Sequence, residues 1–347
     1  MGVLPFEHPF LSGLLGDEDV ARHLSAEADL RAMLAFEAAL AKAQAANGVI
    51  PADAAGRIAE TCATFTPDLA ALRSATARDG VVVPELVRQL RVAVGENAAR
   101  HVHFGATSQD VIDTSLMMRL NSIVRIFSRC LSDILAALGA LESRFGARRM
   151  MALTRMQAAF PIAVSDRLHA WTAPLAAHRD SLAEQAFPLQ FGGAAGTLDS
   201  LGEKAAPVRA ALAEALGLRD APQWQSQRAS IAGFAGLLSL VTGSLGKFGQ
   251  DIALMAQAGD AIALSGGGSS SAMAHKQNPV AAETLVALAR FNATQLSAIH
   301  QSIVHEQERS GAAWTLEWLV LPQMVLAAGA SMRLAADLCA RIERLGQ

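Results

Sequence analysis

The sequence predicts an all-α protein built on a bundle of long helices, and three observations carry that prediction. Alanine and leucine dominate the 347 residues while aromatics are 5% and tyrosine is absent, a bias toward helix formers and away from strand formers. Apolar side chains recur every three or four positions over long stretches. No βαβ alternation, Rossmann glycine motif, P-loop or internal repeat breaks the pattern.

Residues 1–104 are expected to form a small helical N-terminal domain, and residues 105–347 a long-helix bundle. Ser25 is placed to cap a helix with Glu27 and Asp29 in its first turn. Leu30, Met33, Leu34, Ala38, Ala41 and Ala45 keep its apolar face, and Gly48 followed by Pro51 closes it. Shorter helices follow near 52–64, 67–77 and 84–94, punctuated by Pro67, Gly80, Pro84 and Gly95. From about 109 the apolar steps run from Leu116 through Phe127 to Phe145 and stop at Gly146. That spans some thirty residues, roughly 45 Å at 1.5 Å per residue. Further long helices are predicted at 160–186, 227–258, 279–305 and 312–345, with Pro322 kinking or interrupting the last.

Apolar residues make up 52% of the chain and charged residues 18%, so much apolar surface must be buried, some of it between subunits. A net charge of −3 offers no footprint for nucleic acid or an acidic membrane. Cys62, Cys130 and Cys339 are too widely spaced for a disulfide framework or a metal motif, and reduced cytosolic thiols are expected. The opening Met-Gly-Val-Leu-Pro-Phe-Glu-His-Pro-Phe lacks the features of a signal peptide. Ala229 to Gly246 carries no charge over 18 residues and is bracketed by Arg228 and Lys247, which brings it to the lower length limit of a membrane span. A helix buried on all sides explains it equally well, and with no second convincing span a cytoplasmic location is expected.

Polar clusters stand out against this oily background. His101, His103, Thr107, Ser108 and Asp110 lie in the turn that opens the first long helix. Thr107 and Ser108 are ordinary helix caps, yet at a helix N-terminus they can also offer hydroxyl and amide groups to a carboxylate. His103 can add a cationic or proton-transferring group. Leu153-Thr154-Arg155-Met156-Gln157 joins the first two long helices, and Arg155 there is either a solvated loop charge or a bidentate carboxylate clamp. Residues 265–283 run Ser-Gly-Gly-Gly-Ser-Ser-Ser-Ala-Met-Ala-His-Lys-Gln-Asn-Pro into a helix, with Pro279 at its first position. By composition this is a Gly/Ser linker. It equally suits an anion, with Lys276 and Asn278 beside the free N–H groups of a helix start. His305-Glu306-Gln307-Glu308-Arg309-Ser310 is a charged turn before the last helix.

Taken together, Thr107-Ser108-x-Asp110, Thr154-x-x-Gln157 and Ser270-Ser271-x-Met273-x-x-Lys276-x-Asn278 resemble, in order and at similar spacing, the three sequence blocks of the fumarase/aspartase superfamily. Within it, Phe-Glu-His-Pro-Phe and His-Glu-x-Glu-Arg-Ser are most similar to the lactonising branch that acts on 3-carboxy-cis,cis-muconate in the β-ketoadipate route of aromatic breakdown. The resemblance implies a homotetramer with a twenty-helix core, active sites assembled from several subunits, and a small tricarboxylate substrate. It implies no cofactor and no metal. It further implies that Ser270 transfers the proton with Lys276 and His103 as the other catalytic groups, and that Thr107, Ser108, Thr154, Arg155, Gln157, Asn278 and Arg309 bind substrate.

The chain departs from the family pattern at Ser269, where glycine is usual, at Ala274 for proline, and at Leu153 for arginine. Its end soon after the last long helix implies that the family's C-terminal helical domain is missing. Arg155 stands where the fumarase, argininosuccinate and adenylosuccinate branches carry histidine. A carboxylate has a reference pKa near ~4 and needs no general base to attack, so a lactonising enzyme can dispense with that histidine. A lyase acting on adenylosuccinate or argininosuccinate is the alternative within the superfamily, and a non-catalytic helical scaffold the alternative outside enzymes.

Overall fold

The computed structural model describes residues 4–269, 273 and 277–347. Ten helices of eleven residues or more are present among them: α1 (Ala26–Ala46), α2 (Ala52–Thr64), α3 (Leu69–Asp79), α4 (Val83–Val94), α5 (Ser108–Phe145), α6 (Val164–Ala183), α7 (Ala205–Leu216), α8 (Ala229–Ala258), α9 (Val280–Gln301) and α10 (Gly311–Ala340). The fold is all-α. Ser25 caps α1 by accepting from the Ala28 N–H at 3.2 Å, and Asp68 caps α3 in the same way through Ala70 and Ala71.

The long helices α5, α8, α9 and α10 pack side by side, with α6 against α5 and α8, and α1 against α5. One hydrophobic core runs from Phe6 to Leu345 and draws on both the short and the long helices. One side of the uncharged stretch of α8 packs closely on its neighbour, while Leu240 on another side is 61% exposed. A Cβ at Gly246 would sit 2.5 Å from the Ala289 Cβ, and one at Gly249 2.6 Å from the Ala282 carbonyl oxygen, so only glycine lets α8 and α9 approach this closely.

Four expectations need correction. Pro322 lies inside α10 without ending it. As a result α10 is, like α8, long and apolar enough to cross a membrane, so a second such helix exists; 72% of its apolar window and 50% of that of α8 are buried within the fold. Pro279 precedes α9 at the N-cap instead of occupying its first turn. The connection between α5 and α6 is no plain loop but an antiparallel hairpin of β1 (Arg149–Thr154) and β2 (Gln157–Ala163). Two smaller pairs complete the strands described: β3 (Ile262–Leu264) with β6 (Ile342–Leu345), and β4 (Gly268–Ser269) with β5 (Gln277–Asn278).

Candidate active site

At the N-terminal end of α5 the chain gathers polar groups into a buried knot. Thr107 is the N-cap and Asp110 the third helical residue, and the Asp110 carboxylate accepts from the Thr107 N–H at 3.0 Å. The same fully buried carboxylate accepts from the Gly192 N–H at 2.8 Å, the Gly193 N–H at 3.0 Å and the Gln190 side-chain amide at 3.0 Å. Gly193 sits at φ +68° with the Gly105 carbonyl oxygen 3.0 Å from any added Cβ, which is why this loop reaches so close. Burial pushes the Asp110 carboxyl up, and this ring of donors pulls it back toward the ionised form. Asp110 thereby ties the start of α5 to the 190–193 loop.

One turn further along α5, Asp113 meets Arg228 and Glu317 in a buried ionic triad. The Arg228 guanidinium donates to both Asp113 oxygens at 2.6 and 3.0 Å and to both Glu317 oxygens at 2.8 and 2.6 Å. Trp314 Nε1 donates to Asp113 at 3.0 Å, and the Trp224 ring lies 4.5 Å from the guanidinium carbon. Burial disfavours the Arg228 charge, but Asp113 and Glu317 outweigh it and hold its pKa above the ordinary value. Burial pushes the Glu317 carboxyl up against the pull of Arg228. His305 lies with its side chain fully buried 3.8 Å from Glu317, and burial, reinforced by the Arg228 charge, lowers its pKa.

Above this foundation sit three of the predicted site residues. Arg309, 202 positions from Thr107, donates to its hydroxyl at 3.3 Å, to the Gln109 side-chain oxygen at 3.1 Å and to the Ala194 backbone carbonyl at 3.3 Å. His103 adopts φ +64° in the preceding turn, and its Nδ1 lies 2.6 Å from the Glu37 carboxylate of α1. Burial works against its positive form, but the charge and hydrogen bond of Glu37, with Asp110 behind, raise the His103 pKa. Ser108 is the first residue of α5, half-buried beside them. A cation, a histidine held toward its cationic form, a hydroxyl and a helix N-terminus thus meet at one place, an arrangement that can hold a carboxylate.

The other predicted residues lie elsewhere. Thr154 and Gln157 pair across the hairpin turn, and Arg155 and Met156 form that turn at φ +48° and +65°. All four are exposed. The hairpin follows the C-terminus of the 38-residue helix α5, about 57 Å long, whereas Thr107 caps its N-terminus, so the two groups belong to opposite ends of that helix. Asn278 lies in β5 just ahead of α9, which runs 22 residues, about 33 Å, toward the 305–310 turn. Ser270 and Lys276 lie outside the described residues. A single chain therefore brings His103, Thr107, Ser108 and Arg309 together and leaves Thr154, Arg155, Gln157 and Asn278 away from them. No group of three or more metal-ligating side chains occurs among the described residues.

Gln109, Asp113, Gln190, Gln225, Arg228 and Glu317 were not anticipated. A signal for them existed. Asp110 and Asp113 lie on one apolar helix face, and Glu317 sits among Trp314, Trp318, Val320 and Leu321, so each carboxylate on an oily stripe calls for buried donors or a cation.

Comparison with known proteins agrees with this architecture. A family model described as "Lyase" matches residues 16–291. A curated 3-carboxy-cis,cis-muconate cycloisomerase of Bradyrhizobium diazoefficiens is 38% identical over 342 residues, covering 95% of this chain and 76% of the relative. Its counterpart in Pseudomonas aeruginosa is 39% identical over 325 residues, 90% of this chain and 71% of the relative. The crystal structure of the 3-carboxy-cis,cis-muconate lactonizing enzyme from Pseudomonas putida superimposes with a TM-score of 0.90 at 35% identity, over 96% of this chain and 77% of that one.

Proposed function

The chain belongs to the lyase family, and within it we propose that it catalyses the lactonisation of 3-carboxy-cis,cis-muconate to 4-carboxymuconolactone. The observation that carries this reading is the 35–39% identity to four cycloisomerases over 90–95% of the chain. In the reaction a terminal carboxylate oxygen adds to the alkene carbon that bears the branching carboxylate. The π electron pair moves to the neighbouring carbon, whose own carboxylate takes it up as an aci-carboxylate, and that carbon then receives a proton. The substrate carries three carboxylates and the lactone two, so one proton is consumed per turnover.

Ser270 delivers that proton to carbon, and Lys276, with the Asn278 amide, stabilises the aci-carboxylate. Arg309, Thr107 and Ser108 hold one carboxylate at the start of α5, and His103, kept toward its cationic form by Glu37, adds positive charge there. Arg155, with Thr154 and Gln157, clamps another carboxylate from the hairpin tip. The first two groups flank opposite ends of α5, about 57 Å long, which favours their supply by different subunits, in our reading those of a homotetramer. Residues 1–104 act as the N-terminal domain and residues 105–347 as the tetramer core of a soluble, cytoplasmic enzyme that needs neither cofactor nor metal.

Purified protein would be mixed separately with 3-carboxy-cis,cis-muconate, fumarate, adenylosuccinate and argininosuccinate, following ultraviolet absorbance and proton uptake in weak buffer. Loss of the diene from the first alone, with one proton taken up per lactone, is the expected result. Turnover of a succinate adduct instead would make the protein a lyase, and no turnover a scaffold. Ser270→Ala is expected to lower kcat about a hundredfold or more; an unchanged rate would remove Ser270 from the chemistry.

A further inference from the structure

We propose that Gln109 is a positioning residue for Arg309, fixing which edge of the guanidinium faces the carboxylate site. The inference rests on the lactonising reading only for the identity of the anion. Gln109 is buried, 1% exposed, on the first turn of α5. Its side-chain oxygen accepts from Arg309 Nε at 3.1 Å. Its side-chain nitrogen donates to Asp113 at 3.2 Å and to the Gln225 carbonyl at 2.8 Å.

The direction of that amide is forced. A guanidinium can only donate, while an ionised carboxylate and a backbone carbonyl can only accept. Flipping the Gln109 amide would set its oxygen against two acceptors and its NH2 against a donor, losing all three hydrogen bonds at once. Asp113 cannot turn away to allow it, because Arg228 grips both its oxygens and Trp314 donates to one. The ionic triad therefore orients a neutral amide, and the amide orients a solvent-facing cation.

Arg309 is held a second time through its backbone. The Gln225 side chain donates to the Glu308 carbonyl at 2.9 Å, immediately before Arg309, while the Gln225 backbone carbonyl receives the Gln109 amide. With Nε engaged by Gln109, Nη2 reaches Thr107 and the Ala194 carbonyl, so the Nε–Nη2 edge faces the fold. An Arg309 released from Gln109 would keep only its two longer Nη2 contacts, losing order and with it affinity for the carboxylate, but not the chemistry that takes place at carbon.

The prediction splits KM from kcat. Gln109→Met removes the acceptor while keeping the volume; KM for 3-carboxy-cis,cis-muconate is expected to rise about tenfold, equal to about 1.4 kcal/mol, with kcat changed less than threefold. In an Arg309→Ala background the same substitution is expected to change KM less than twofold, because the partner is already gone. Gln109→Glu keeps an acceptor for Arg309 but sets a second carboxylate against Asp113, so it is expected to keep KM and lower the unfolding midpoint. Equal KM effects of Gln109→Met with and without Arg309, or a tenfold rise in KM for Gln109→Glu, would overturn the proposal. Should the wild-type protein turn over no tricarboxylate, the functional reading fails but the positioning does not. It is then decided by the rate at which phenylglyoxal labels Arg309, read by peptide mass. A severalfold faster labelling in Gln109→Met supports the restraint, and an unchanged rate refutes it.

Discussion

The two ends of α5 solve opposite problems. At its start, Asp110, Asp113, Gln109, Arg228 and Glu317 are buried and hydrogen-bonded within one chain, through contacts between residues as much as 201 positions apart. At its far end, Thr154, Arg155 and Gln157 stand exposed on a two-residue turn, together with the apolar side chains of Leu153, Met156 and Phe160, which are 56%, 76% and 64% exposed. Polar groups there have no buried foundation and apolar ones have no core. On the proposed reading the first end is a finished half-site and the second is a probe. Substitutions at the first should therefore disturb folding together with activity, whereas those at the second should disturb activity alone.

Arg228→Met is the largest test of that contrast. It leaves Asp113 and Glu317 buried without their shared cation, and a loss of about 3–5 kcal/mol is expected in denaturant unfolding. The loss should shrink as pH falls, because protonation discharges the stranded carboxylates. Full stability at neutral pH in this variant would show that the triad is not what holds this end together.

Arg155→Ala comes next. KM for the tricarboxylate should rise about tenfold or more, a change of about 1.4 kcal/mol, while unfolding stays within about 0.5 kcal/mol of wild type. An unfolding midpoint that moved with KM would make the hairpin part of the foundation, and an unchanged KM would remove its clamp role.

The smallest effect concerns His103 and Glu37. The folded pKa of His103 is raised above its unfolded value, so the pair contributes fully below the ordinary histidine range and its contribution fades as pH rises through the raised folded value. The stability difference between wild type and Glu37→Gln should therefore be greatest in mild acid and narrow toward alkaline pH. A difference that widened with pH would assign the pair to another charge.

Much of the fold was legible because helices announce themselves locally. Ser25, Gly48 and the three-four spacing set α1, and α5 ends at Gly146 as read. The hairpin was not legible, for a physical reason. Its turn places Arg155 and Met156 at positive φ, where glycine or asparagine usually signals a tight hairpin. Pro322 does not interrupt α10, whose buried flanks Val320, Leu321, Met324 and Val325 hold the helix together across the missing N–H. At the site, Thr107 was readable locally as a helix cap able to offer a hydroxyl to a carboxylate, but Arg309 as its partner was not, since nothing local relates residues 202 positions apart. Gln109 escaped because its role depends on Asp113 and Arg228, and Arg228 looked like the flank of an uncharged run.

The indoles around the triad have an optical consequence. The chain has no tyrosine and four tryptophans, so emission excited at wavelengths phenylalanine does not absorb comes from indoles alone. Trp314 is bonded to Asp113, Trp224 lies over Arg228, and Trp318 sits 4.6 Å from Trp314, whereas Trp171 is bonded to Asp251 away from that cluster. Three of the four fluorophores therefore watch the start of α5, and the hairpin tip is dark. Emission changes on adding an anion or denaturant would report first on the buried ionic triad, giving this molecule a label-free gauge of its own foundation.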